Sequence, residues 1–245
     1  MGETTPLYIA DRIRRRPTLG LGIVPGTTPV VSFGCARTAR IATLGINPSR
    51  VEFLDRDGLE LIGHERRLTT LRSLGVADLR EASMETVARV VDGCDHYFQR
   101  NPYRRWFDQL DAVLRGCGAS YYDGTACHLD LVQWATDPTW GTLASRQRSA
   151  LLAGDLAFLR SQLDNESIRA VLVNGRAVLN AFTEATGCAP KQVERLDFGN
   201  SSTTVHVGRL REVVVIAWTV NLQSSFGVTN DLRARLAEAV ARHAT

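Results

Sequence analysis

Two apolar runs in this chain end in amides and hydroxyls. Ala42-Thr43-Leu44-Gly45-Ile46 stops at Asn47-Pro48-Ser49, and Val213-Val214-Val215-Ile216-Ala217-Trp218-Thr219-Val220 stops at Asn221-Leu222-Gln223-Ser224-Ser225-Phe226. An amide is too weak a base to ionise water, but its carbonyl oxygen orients a water and its N–H groups stabilise a developing oxyanion. Hydroxyls beside it suit phosphate oxygens. Each residue also has a plainer reading. Asn47 and Asn221 suit turns, the two serines suit a helix cap, and Phe226 suits a core.

The elements that must position these residues follow from the hydrophobic pattern. Strands are expected at 41–46, within Tyr121–Trp134 with 128–132 at its end, at 170–173 and at 213–220, and Val30–Phe33 reads as an edge strand leading into the first. Thr203–Val207 alternates as an exposed strand does. Helices are expected over 65–80, 85–91, from Asn101 until Gly116 and Gly118 stop it, and over 145–163, 176–186 and 229–242. Strands alternating with helices define an α/β fold, a three-layer α/β/α sandwich around a mostly parallel four-stranded sheet. Ligands of such sheets bind beyond the carboxyl ends of the strands, where Asn47 and Asn221 fall. Residues 1–35 read as an N-terminal arm plus edge strand. Residues 36–245 read as one domain with an inserted segment around 51–100.

Composition narrows the chemistry. With 245 residues and 44% hydrophobic content, the chain can bury a substantial core. No apolar run is long enough for a membrane span, and the N-terminal residues lack the apolar core of a secretion signal, so a cytoplasmic monomer is expected. Cys35, Cys94, Cys117, Cys127 and Cys188 form no C-x-x-C pair, which leaves no zinc or iron–sulfur pattern. No metal or cofactor is expected. The net charge of +3 permits a polyanionic partner without requiring one. Arg12, Arg14, Arg15 and Arg16 form a basic cluster that reads as a solvated face or as a phosphate contact. Glycine-rich nucleotide loops and the G-x-S-x-G elbow are absent, so nothing supports a small-molecule α/β enzyme.

The two motifs together resemble the uracil-DNA glycosylase superfamily. Gly45-Ile46-Asn47-Pro48-Ser49 is similar to the first motif of its mismatch-specific and thymine-DNA branch, Gly-Ile-Asn-Pro-Gly. Asn221-Leu222-Gln223-Ser224-Ser225 is similar to the second, Asn-Pro-Ser-Gly-Leu-Ser. Ser49 replaces a glycine, Leu222 a proline and Gln223 a phosphate-binding serine, and residues 51–100 have no counterpart. The resemblance implies a monofunctional DNA glycosylase that flips a pyrimidine out of DNA and hydrolyses its N-glycosidic bond. Asn47 then holds the attacking water and Asn221 stabilises charge at the base's O2. Ile46, Phe53 and Asp130 surround the base, Ser49, Gln223, Ser224 and Ser225 contact DNA, and Phe226 wedges into the duplex. Lys191 is the only lysine and lies far from both motifs, which argues against a Schiff-base lyase. A uracil or mismatch repair enzyme and an inactive DNA-binding module on the same fold remain alternatives.

Asp130 bears on the choice of base. It stands in His128-Leu129-Asp130-Leu131-Val132, where related enzymes place a base-reading residue, usually Asn. A carboxylate only accepts hydrogen bonds, so it mismatches O4 of uracil and matches the N4 amino group of cytosine. Removal of ordinary cytosine would destroy the host genome. A modified cytosine in foreign DNA, such as that of a phage, satisfies both constraints. The plainer reading of Asp130 is a buried partner for an arginine or for His128. Asp130→Asn is expected to shift excision from cytosine-type bases towards uracil. Rates on both bases in identical flanking sequence check this, and a wild type that removes only uracil refutes it.

Overall fold

The structure, a computed structural model, describes residues 5–16, 18–198, 201–223 and 228–244. Its helices are α1 (Leu7–Arg14), α2 (Leu71–Leu74), α3 (Met84–Asp95), α4 (Arg104–Gly116), α5 (Ser145–Asn165), α6 (Arg176–Thr186) and α7 (Asn230–Ala241). Its strands are β1 (Ile41–Gly45), β2 (Ala126–Asp130), β3 (Ala170–Asn174), β4 (Lys191–Phe198), β5 (Ser201–Leu210) and β6 (Val213–Trp218). The chain forms two compact units. One comprises Met1–Gly34, Ile46–Pro102 and Asp130–Asp164, and the other comprises Cys35–Gly45, Tyr103–Leu129 and Asn165–Thr245. The chain crosses between them after Gly34, Gly45, Pro102, Leu129 and Asp164, and the 51–100 segment lies wholly in the first unit.

The sheet is mixed, flanked by helices, and has six strands in the order β2-β1-β3-β6-β5-β4, where four were expected. β1, β3 and β6 run parallel, with Leu44 opposite Val173 and Val173 opposite Ala217. All five residues of β1 and of β3 are buried, Thr43 and Asn174 among them, as expected of mostly apolar central parallel strands. β5 pairs antiparallel with β6, and β4 pairs antiparallel with β5. β4 escaped the sequence reading because Lys-Gln-Val-Glu-Arg-Leu-Asp-Phe exposes most of its side chains and buries only Leu196 and Phe198. That is the pattern of a sheet edge. Within this unit α4 packs on α7, and α6 packs on β3 and β6. Gly116 allows the α4–α7 approach, since a Cβ there would lie 2.5 Å from that of Ala237.

The first unit corrects three expectations. Val30–Phe33 is buried but is no strand of the sheet. Its polar backbone is satisfied elsewhere, with Val30 N–H donating to Gln133 O (2.8 Å) and Gln162 Nε2 donating to Val31 O (2.7 Å). The helix expected over 65–80 shrinks to α2. A capping box between Thr70 and Ser73 starts it, and Gly75, at φ +72°, ends it four residues later. The N-terminal arm contains α1, whose Ile9, Ala10 and Ile13 face inward.

Arg12 faces inward too, at 2% exposure, so it is not part of a solvated basic surface. It pairs with Asp155 of α5 at 2.8 Å, and its Nε donates to Gln133 Oε1 at 2.9 Å. Asp155 also accepts the Gln133 backbone N–H at 2.9 Å. The guanidinium lies 5.3 Å from the Trp134 ring centroid. Burial pushes Arg12 down and Asp155 up from their ordinary pKa values, and each charge opposes the shift of the other. The neighbouring arginines are also engaged within this unit. Arg14 donates to Ala82 O, Arg15 to Gly154 O and Arg16 to Asp78. Arg12→Ala leaves a buried carboxylate unpaired and is expected to cost about 3–5 kcal/mol. Urea unfolding of the variant beside the wild type measures it, and a loss near zero would show that the pair contributes nothing.

Candidate functional site

The first unit holds Asn47 at the turn that follows β1. Its Nδ2 donates to Pro48 O (3.0 Å), Trp134 O (3.2 Å) and Thr136 Oγ1 (3.1 Å). Two of these partners are carbonyl oxygens, which only accept, so the orientation of the amide is fixed. Asn47 Oδ1 accepts no hydrogen bond among the described residues. The backbone around it is equally pinned. Val132 N–H donates to Ile46 O at 2.8 Å, and Ser49 bridges to Thr136. Ile46 and Asn47 are half-buried, and Ser49 is exposed and caps the short 3-10 turn Arg50–Glu52. Phe53 is 1% exposed and packs as core.

Asp130 ends β2 at 5% exposure, and its backbone carbonyl accepts from Gln133 Nε2 at 2.8 Å. Near it lies a residue that the sequence reading missed. Glu52 is 3% exposed, and its Oε2 accepts from the hydroxyl of Tyr97 at 2.6 Å. Burial pushes its carboxyl up to about 7, and the charge of Asp130 adds to this, while the Tyr97 hydrogen bond and the charge of Arg67 oppose it. Arg67 is held by a 2.8 Å bond from Nη1 to Val51 O. A glutamate in the polar run after Pro48 gives no sign of burial in the sequence. The only signal was its place in the turn after Asn47.

The second unit carries the other motif. Asn174, at the end of β3, organises it. Its Oδ1 accepts from Trp218 Nε1 (2.8 Å) and Leu222 N–H (3.1 Å), and its Nδ2 donates to Asn221 Oδ1 (3.1 Å) and to Gln223 Oε1. Asn221 Oδ1 accepts from the Gln223 N–H as well, at 3.1 Å. Nδ2 of Asn221 and Nε2 of Gln223 therefore remain without a partner among the described residues. Gly175, at φ +94°, lets the two turns meet, because a Cβ there would lie 3.4 Å from that of Asn221. The sequence marked Asn174-Gly175 as a strand end. Its likeness to the other two Asn-bearing strand ends was the signal for a role. Ser224, Ser225 and Phe226 lie outside the described residues.

His128 belongs to the core of the second unit. Its Nδ1 lies 2.7 Å from Thr43 Oγ1, and the rings of Trp106 and Phe107 meet it edge-on. In the first unit a cavity of about 550 Å³ is walled mainly by apolar side chains, among them Ile13, Leu21, Ile23, Leu71, Leu79 and Trp134. None of the residues singled out from the two motifs lines it, but Trp134 also supplies the carbonyl that holds Asn47. Among the described residues no group of three or more His, Cys, Asp or Glu side chains is arranged to hold a metal ion, and no helix is long and apolar enough to cross a membrane. No protein-family model matches the chain, and no curated protein matches it.

The raised pKa of Glu52 makes stability depend on pH. Between its ordinary value of 4.5 and about 7, the unfolded carboxyl has lost its proton while the folded one keeps it. Stability is therefore highest below that window and falls as pH rises through it, by an amount on the order of 3 kcal/mol. Glu52→Gln, which retains an acceptor for Tyr97, is expected to lack this decline. Urea midpoints of both proteins at about pH 5 and about pH 8 measure it, and parallel curves would refute it.

Proposed function

We propose that the protein is a DNA glycosylase that flips a pyrimidine nucleotide and hydrolyses its N-glycosidic bond, with preference for a base bearing an exocyclic amino group. The observation that carries this reading is the presentation of the Asn47 amide within the first unit, and the second unit holds an amide of its own in the opposite sense. Asn47 has its nitrogen held three ways and its oxygen open, which suits a water that must be oriented for attack on the anomeric carbon. Asn221 has its oxygen held and its nitrogen open, which suits the charge that develops on O2 of the departing base. A turn residue needs neither arrangement. The three-layer sandwich of the uracil-DNA glycosylase superfamily is the fold this reading requires, and a mixed sheet flanked by helices agrees with it.

Asp130 supports an amino-bearing base, because a carboxylate is an acceptor and N4 is a donor. A modified cytosine of foreign DNA spares the host genome. The cavity of the first unit lies mainly against the N-terminal arm, with Leu71, Asp78, Leu79 and Arg80 as the contribution of the 51–100 segment and Arg14, Arg15 and Arg16 also in its wall; it offers room for a bulky substituent, and Trp134 links its wall to the support of Asn47. Gln223 takes the place of the phosphate contact in the second motif. Arg15 and Arg16 stay exposed beside their partners in the first unit, so the arm remains open to a phosphate contact.

Asn47→Ala is expected to lower base release at least about 10²-fold while leaving circular dichroism and DNA affinity near wild type. Release is read by alkaline cleavage of duplexes carrying cytosine, 5-methylcytosine, 5-hydroxymethylcytosine or uracil, and by mass spectrometry of phage DNA with bulky C5-modified cytosines. Wild-type rates in the variant would refute the role of Asn47.

A further inference from the structure

The cavity of the first unit has two kinds of wall. Its interior is apolar. Ile13, Val24 and Trp134 are buried, and Trp134 belongs to a hydrophobic cluster with Val132, Leu143 and Leu151, against which Leu21 and Ile23 also pack. Polar groups along this wall already have partners. Thr27 Oγ1 donates to Val24 O at 2.8 Å, and the carbonyls of Gly20, Gly22 and Gly26 accept from Gln147 Nε2, Asp137 N–H and Leu71 N–H, each at 2.8 Å. A nucleobase would leave its polar edge unpaired there, whereas a hydrocarbon body has none to pair. Exposed side chains mark the mouth. Arg16 and Arg80 are more than half exposed and share one oxygen of Asp78, at 2.8 and 3.4 Å. Arg14 and Arg15 line the cavity as well, and each donates to a neutral backbone carbonyl. Among the described residues, the wall thus carries four arginines against one carboxylate. Leu19 completes the rim at 95% exposure, a large apolar side chain left to solvent.

We propose that this cavity is a binding site for a small anionic amphiphile, a molecule with a hydrocarbon body and one acidic head, carboxylate or phosphate. At about 550 Å³ the cavity falls within the range that encloses a ligand of that size. The body displaces water from the apolar interior and covers Leu19, and most of the favourable free energy of binding arises there. The head meets Arg16 and Arg80. Their planar guanidinium groups suit a carboxylate or a phosphate, and the Asp78 carboxylate that they already share shows the contact that a ligand head would make. Because arginine outnumbers aspartate in this wall, a further anion is favoured at the mouth and a cation is repelled. Such binding requires nothing of the glycosylase reading. A seated amphiphile would fill the room given above to a base substituent, so the two would compete.

The test is isothermal titration calorimetry of the full chain with decanoate, decyl phosphate, decyltrimethylammonium and butyrate, each below its micellar concentration. At least one of the two long-chain acids should bind with one molecule per chain, and the tighter of them identifies the preferred head. Decyltrimethylammonium should bind about tenfold more weakly or less, and butyrate, which lacks the body, not measurably. The double variant Arg16→Gln/Arg80→Gln should weaken the acids about tenfold. Leu19→Ser, at an exposed position, should weaken them about fivefold. Thermal melting of both variants should stay near wild type. Failure of both acids to bind at one site, equal affinity for decyltrimethylammonium, or wild-type affinity in both variants overturns the site.

Discussion

The first unit depends on one buried ion pair. Arg12 and Asp155 come from helices far apart in sequence, and Gln133 accepts from one and donates to the other. Such a triad is stable because each charge has both a partner and a hydrogen bond; a lone buried charge would not be tolerated. Its effect reaches past its own atoms. Gln133 begins the stretch whose Trp134 carbonyl and Thr136 hydroxyl hold Asn47. The Arg12 guanidinium also lies over the Trp134 ring. The position of one side-chain amide thus rests on an ion pair that never touches it.

In the second unit the same logic uses neutral groups. Asn174 spends all of its hydrogen-bonding capacity on Trp218, Leu222, Asn221 and Gln223. The anchors are rigid, since Trp218 is fully buried in β6 and Gly175 permits a backbone approach that a side chain would obstruct. Both units therefore hold one amide by the end that is not needed. In the proposed chemistry this is preorganisation, with the dipoles set before the substrate arrives.

Much of this was legible in the sequence. The central strands were, because a strand covered on both faces is mostly apolar, and β1, β3 and β6 are, with Thr43 and Asn174 as the buried polar exceptions. The long α5 was legible in outline, although Asp155 and Gln162 on its buried face break a simple apolar stripe. What failed did so for nameable reasons. β4 looks like a loop because an edge strand needs few apolar residues. α1 looked like a basic surface because a sequence does not reveal that Arg12 has a carboxylate waiting for it. Asn47 and Asn221 stood out because amides at the ends of apolar runs are unusual. Asn174 followed the same pattern and was passed over, and Glu52 became visible only once burial was known.

The pairing of Arg12 with Gln133 spans 121 residues. During synthesis α1 leaves the ribosome long before the residues that neutralise and cover it exist. Its apolar face and its guanidinium must remain solvated, or be shielded by a chaperone, until α5 has been made. The sheet imposes a similar delay, because β1 must wait for β3 on one side and β2 on the other. Contacts of such long range slow folding. The chain is therefore expected to reach its native state late in translation or after release, with the N-terminal helix locking the first unit as one of its last events.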